Sequence, residues 1–329
     1  MGVFRPRRIL ILGGVALALL TPVFAQRGPK PPPMGPPPHP VVEKMLKNAG
    51  KLRYSGQRIV EFKLEADRYR NVELLSIDGK RMRIEFAPGS SWAGQVIVDG
   101  PRGRLQYFPA ENEIRQMPRT RDDLSGRIVE LLRRAQRERM AIRYADGGSI
   151  LGRKTTLMEV KDPAGNVIQK LWLDNTTGLG LRRELFDPVG TRIGYFEFTR
   201  LNFNPRFAES DFTIQRAGAK VVTLSDMVIR EARRAGFSAS ILPATSGAEL
   251  QVVRTLDVGG KKVLHLVYAV GNRRLSLFQT KGEVSNQALR RMVGRETAHK
   301  WTASGKTLLL IGPFDPSELK GFASKVTSG

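Results

Sequence analysis

The chain has 329 residues, enough for two domains at roughly 100–200 residues each. Its formal charge of +23 attracts polyanions in general, from lipid headgroups and anionic glycans to nucleic acid and acidic proteins, without specifying a fold. The absence of cysteine excludes a thiol-linked lipid anchor, disulfides, zinc–thiolate sites and thiol catalysis, so stability has to come from packed cores.

Arg5, Arg7 and Arg8 precede an apolar run from Ile9 to Leu20, and Val23-Phe24-Ala25 stands before Gln26. That order predicts a signal peptide over 1–25, cleaved after Ala25, and hence a periplasmic protein. An uncleaved anchor is the alternative, although the run is shorter than the ~20 residues that cross a bilayer. Export removes nucleic acid from the expected partners and leaves anionic surfaces. Residues 26–40 read as a proline-rich linker, with eight prolines in Gly28–Pro40; such a stretch adopts polyproline II or coil.

Residues 41–216 are expected to form the first domain. Val41, Val42, Met45, Leu46 and Ala49 fall at helical spacing, with Gly50 at the C-terminal stop. The period then changes to two: Val60, Phe62 and Leu64 alternate with Glu61 and Lys63, and Met82, Ile84 and Phe86 with Arg81, Arg83 and Glu85. These are half-buried antiparallel strands. Asp78-Gly79 and the Asp99–Gly103 segment supply hairpin turns. Thr120 and Asp123 form a capping pair for a helix whose apolar stripe is Leu124, Ile128, Leu131, Leu132 and Ala135, opposite Arg127, Arg133, Arg134 and Arg137. Strands resume at 154–160, 167–173, 181–186 and 193–203, separated by Asp-, Pro- and Gly-bearing turns.

The remainder, 217–329, reads as a smaller α+β domain. Thr223 and Asp226 cap a helix ending at Gly236, strands follow near 249–256, 263–269 and 274–279, and a short basic helix closes at Met292 and Val293. A buried strand over 307–311 and a helix opened by Asp315-Pro316-Ser317-Glu318 complete it, the helix carrying Leu319, Phe322, Ala323 and Val326 on one side.

Residues that would carry chemistry are sparse, and neither cofactor nor metal is expected. Of the three histidines, His39 falls in the proline spacer, His265 in an apolar strand and His299 in a basic loop, without metal-binding spacing. No G-x-S-x-G elbow occurs. Ser304-Gly305-Lys306-Thr307 mimics the end of a phosphate loop, but Lys300 stands where the first glycine belongs and a strand-like run follows. Glu111 with Glu113 and Asp122 with Asp123 sit beside arginines at turns and a helix start, where they serve as caps. The chain is read as non-enzymatic, with an envelope hydrolase as a minor alternative.

Tyr54-Ser55-Gly56-Gln57-Arg58-Ile59-Val60-Glu61-Phe62 resembles the opening strand of the MucB/RseB-type periplasmic sigma-E regulators. Leu171-Trp172-Leu173-Asp174-Asn175-Thr176-Thr177-Gly178-Leu179 through Arg183, followed by Asp187–Phe198, is similar to hairpins shared by those regulators and the lipoprotein carrier LolA. The likeness covers about 51–215, with a looser match at Val263–Phe278 and Leu308–Val326. It implies an α+β protein: an N-terminal half-open antiparallel β-barrel wrapped on helices, plus the smaller C-terminal domain. It also implies a concave apolar face for lipid or lipoprotein acyl chains, and a membrane-bound anti-sigma factor or similar envelope protein as partner. On that reading the cavity candidates are Val60, Phe62, Leu64, Met82, Ile84, Phe86, Leu171, Leu173, Phe196 and Phe198. A carrier of the LolA type is the alternative to a regulator. The proline spacer and the high positive charge depart from the family's pattern.

Overall fold

The computed structural model describes residues 39–64, 67–101, 103–118, 124–258, 260–271, 273–282 and 296–328. The expected signal peptide, most of the expected linker, the Thr120–Asp123 pair and the helix expected to close at Met292 and Val293 lie outside the described residues. The side chain of Leu64 does as well.

Helix α1 (Pro40–Asn48) leads into β1 (Arg53–Leu64), β2 (Asp67–Asp78), β3 (Arg81–Phe86), β4 (Val96–Gly100), β5 (Gly103–Phe108) and β6 (Glu113–Met117). Helix α2 (Leu124–Arg137) follows, then β7 (Ala141–Ile150), β8 (Arg153–Lys161), β9 (Val167–Asp174), β10 (Gly180–Phe186) and β11 (Arg192–Asn202). With β12 (Lys220–Val222), these strands form one open twelve-stranded sheet in the order β12-β6-β5-β4-β3-β2-β1-β11-β10-β9-β8-β7. Both meanders close through the β1–β11 pair, whereas β12 joins β6 in parallel. The Asp78-Gly79 and Gly100–Gly103 hairpins lie where the sequence puts them.

Pro40 is the first residue of α1, and His39 belongs to the fold rather than to a spacer. Its Nδ1 accepts from the Val41 amide, and its ring stacks on Tyr144 with centroids 4.3 Å apart. The helix is then clamped onto the β9–β10 turn. Asp174 is buried and accepts from Arg153 Nη2 (2.8 Å), the Thr177 amide (2.9 Å) and the Thr177 hydroxyl (2.5 Å). Burial works to raise its carboxyl, but Arg153 and Thr177 hold it below the ordinary carboxylate range. This folds Asn175–Gly178 so that Asn175 and Thr177 carbonyls receive Lys44 Nζ (2.7 Å) and Asn48 Nδ2 (2.9 Å). Gly178 has φ +75°, and a Cβ there would stand 2.3 Å from the Met45 amide nitrogen. The D-N-T-T-G motif is thus a docking surface for α1, and only glycine fits its last position.

The second sheet has the order β14-β15-β16-β18-β17, built from β14 (Glu249–Val258), β15 (Lys261–Val270), β16 (Arg273–Lys281), β17 (Thr297–Ala303) and β18 (Lys306–Gly312). Helices α3 (Leu224–Arg234) and α4 (Pro316–Ala323) and the short pair β13 (Ser240–Ile241) with β19 (Thr327–Ser328) complete this region. Met227, Val228 and Ala232 of α3 and Leu319 of α4 pack with Leu264, Leu266, Leu275, Leu277, Leu308 and Leu310 on one face. Val263, Phe278, Leu309 and Ile311 fill the other. Thr223 with Asp226 and Asp315 with Glu318 form capping boxes, as their spacing predicts. His299 lies on β17, not in a loop, and stacks on Trp301. Arg230 of α3 reaches Glu113 of β6 at 2.7 Å, tying this region to the large sheet.

Candidate functional site

Register places the sequence-derived cavity candidates other than Leu64 on one face of the large sheet. Leu171 stands opposite Arg183, Arg183 opposite Phe196, Phe196 opposite Val60 and Val60 opposite Asn71. A parallel row runs Gly56, Leu75, Ile84, Ile97, Gln106. Since side chains alternate across a strand, all of these share what we call the inner face.

That face has two unlike halves. Toward β7, Leu171 and Leu173 pack with Met158 and Val160 under Val41, Val42 and Met45 of α1 and Ile128 of α2. From β10 to β4 the cover is different. Val60, Phe62, Ile84, Phe86, Phe196 and Phe198 cluster with Tyr54, Leu75, Trp92, Ile97 and Leu181, and Met82 lies at the margin. Among the described residues every buried member of this second cluster comes from a strand or from the 87–95 loop, and none of its partly buried members is helical. Phe62 stacks on Tyr69 at 5.0 Å, and Trp92 lies 5.4 Å from Phe62 and 5.3 Å from Phe86. Ser90 and Ser91 hold the loop in place by bonding the Val72 and Arg70 amides at 2.9 and 3.1 Å. Gly56 lets the Phe198 ring cross β1, because a Cβ would meet it at 3.1 Å and the Arg200 carbonyl at 2.8 Å.

Period-two reading missed the polar residues of this face. Arg58 Nη2 pairs with Glu73 Oε2 at 2.6 Å between Phe198 and Phe86. Asn71, Gln106, Gln169 and Arg183 are buried there as well. The outer face is a charged ladder instead. Arg182 lies over Trp172 (4.5 Å) and Tyr195 (5.7 Å), and Arg192 lies over Tyr195 (4.6 Å). Glu184 and Glu197 answer the arginines, and burial together with the Glu197 bond pushes the Tyr195 hydroxyl up to about 12.

The arrangement closest to a nucleophile–base pair lies in the five-stranded sheet, where His265 Nε2 is 3.1 Å from Ser276 Oγ. Arg254 Nε donates to His265 Nδ1 at 3.0 Å. Arginine can only donate, so the ring's own proton is assigned to Nε2, which faces serine as a donor. A base needs the reverse. Burial, reinforced by the Arg254 charge, holds this ring down to about 3, so it is neutral at ordinary pH. Lys306 of the phosphate-loop mimic is buried, and its Nζ donates to the Ser238 carbonyl (2.7 Å) and Ser240 Oγ (2.8 Å). Its residue follows a β-hairpin turn, with no helix N-terminus to receive phosphate. Among the described residues no group of three or more His, Asp or Glu is placed to hold a metal, and no helix is long and apolar enough to cross a membrane.

No protein-family model matches the sequence, and no curated protein matches it. Solved structures similar to the chain match it at low identity. A crystal structure of MucB is 16% identical, covers 88% of this chain and 97% of its own, and has a TM-score of 0.42. The Pseudomonas aeruginosa MucA/MucB complex matches at 16% identity over 88% of this chain and 97% of that one, with a TM-score of 0.43. A LolA superfamily protein from Nitrosomonas europaea matches at 11% identity over 53% of this chain and 96% of that one, with a TM-score of 0.25.

Proposed function

We propose that the chain is a non-enzymatic binding protein of the bacterial periplasm. Residues 41–216, curled as a half-open barrel, hold lipid or lipoprotein acyl chains on the inner face, and 217–329 form an accessory domain that engages a membrane-bound anti-sigma factor or similar envelope protein. The observation that carries the reading is the aromatic half of the inner face, an apolar bed of strand and loop side chains without a helix among its described members. Hydrocarbon laid on it gains ~0.8 kcal/mol per buried methylene, so binding requires no reactive group. The partner follows from the resemblance at Tyr54–Phe62 and Leu171–Phe198.

Two experiments test the proposal. Delipidated mature protein is expected to take up a fluorescent fatty acid with saturable stoichiometry, and lack of uptake contradicts the acyl-chain reading. Capture from envelope membranes is expected to retrieve a single-span protein. A lipoprotein retrieved in its place favours a carrier over a regulator.

A further inference from the structure

The inner face holds three buried side-chain amides, each bonded through one atom with the other left open. Asn71 is 0% exposed, and its Oδ1 accepts from the Trp92 backbone N–H at 3.1 Å. A backbone N–H only donates, so the oxygen must face Trp92 and the NH2 group must point away. That Nδ2 has no partner among the described residues. Gln169 is 3% exposed and receives Arg183 Nη2 on Oε1 at 2.6 Å, which fixes its orientation the same way and leaves Nε2 open. Gln106 gives its Nε2 to Gln95 Oε1 at 3.0 Å and keeps an open Oε1.

Buried polar groups are nearly always paired, and an open buried donor costs ~1–3 kcal/mol. Asn71 and Gln169 are both donors-in-waiting and share the face with Val60 and Phe196. They lie four strands apart, ~19 Å at ~4.8 Å per strand. The amides of the five-stranded sheet behave differently: Gln279 exchanges two bonds of 2.6 Å with the Ser240 backbone and keeps nothing open.

We infer that Asn71 and Gln169 recognise acyl carbonyl oxygens of an otherwise apolar ligand, so that the inner face distinguishes acylated molecules from plain hydrocarbon. The inference rests on the acyl-chain reading and adds the chemical class. An ester, an amide or a free carboxyl supplies the same acceptor oxygen, and an ether or alkane does not.

The test compares a lysophosphatidylcholine with its ether-linked analogue of equal chain length, which differs in one carbonyl, by displacement of a fluorescent fatty acid from the delipidated full-length mature protein. The ester is expected to bind about tenfold more tightly in the wild type, the difference one well-made buried hydrogen bond supplies. Asn71→Asp keeps the acceptor for Trp92 and removes the open donor, so the ratio falls toward one where the carbonyl is held at Asn71. Gln169→Glu, which keeps the acceptor for Arg183, is read in parallel; a single carbonyl meets only one of the two amides, so the variant that loses the preference identifies that donor, and an unchanged ratio in both overturns the inference. An N-acyl amide and a free fatty acid of the same length rank the carbonyl's source. Equal binding of ester and ether by the wild type overturns carbonyl recognition while leaving hydrocarbon binding intact, and binding of neither overturns both.

Discussion

The five-stranded sheet and the inner face of the large sheet bury similar residue types and treat their polar groups in opposite ways. In the former, Gln279, His265 and Lys306 each meet partners within the sheet region, and apolar clusters fill both faces. In the latter, Asn71, Gln106 and Gln169 each keep one side-chain atom without a partner. On the proposed reading the first sheet closes its hydrogen bonds because it only has to fold, and the second keeps donor capacity for a ligand.

The contrast predicts its own tests. Truncating Phe278, which stacks on His265 at 4.1 Å among Val263, Leu309 and Ile311, is expected to lower the unfolding free energy by ~3–5 kcal/mol without altering fatty-acid uptake. Phe198→Ala, at a ring as buried as Phe278, is expected to cost comparable stability and in addition to reduce uptake strongly; urea titration with a parallel binding assay compares the two. Equal effects of the two variants on uptake break the proposed distinction between closed core and binding face.

His265 gives the closed sheet a pH signature. Its folded-state value, about 3, lies below the unfolded one, so the unfolded chain binds a proton that the folded chain refuses. Stability is therefore full above about pH 6.5 and falls as pH drops from there toward 3, by up to ~1.4 kcal/mol per unit. Denaturant midpoints for wild type and His265→Gln over this window check it, the variant showing the shallower slope.

Gly178→Ala attacks the helix-covered half of the inner face. Strain at φ +75° and the contact with Met45 are expected to lower stability by ~2 kcal/mol or more and to speed amide exchange over 40–48. Tyr195→Phe on the outer ladder is expected to change stability by no more than ~0.5 kcal/mol, since partly exposed charged networks contribute little.

Much of this was legible from periodicity and turn chemistry. The β1 and β3 alternation, the capping boxes at Thr223 and Asp315 and the Asp-Gly hairpin at 78–79 follow from local rules that packing does not override. β7 is not legible from alternation because Asp146-Gly147-Gly148 has turn composition, whereas the chain carries it as a bulge, with register shifting between Asp146 and Ser149. β17 escaped because Lys300, Thr302 and His299 mask its pattern. The inner-face amides were illegible for a deeper reason. Alternation assigns a polar residue to the wet side, and only cross-strand register reveals that Asn71 shares a side with Val60. The resemblance motif Asp174–Gly178 was visible as a string, but its role in seating α1 needed the fold.

Trp92 offers the most direct test of whether hydrocarbon lies on the aromatic half of the inner face. The chain has three tryptophans, so Trp172→Phe with Trp301→Phe leaves Trp92 alone to report. Titration with a brominated fatty acid is expected to quench its fluorescence saturably, in step with displacement of an unbrominated chain. Saturable binding that leaves Trp92 emission unchanged would place the ligand elsewhere and contradict the account.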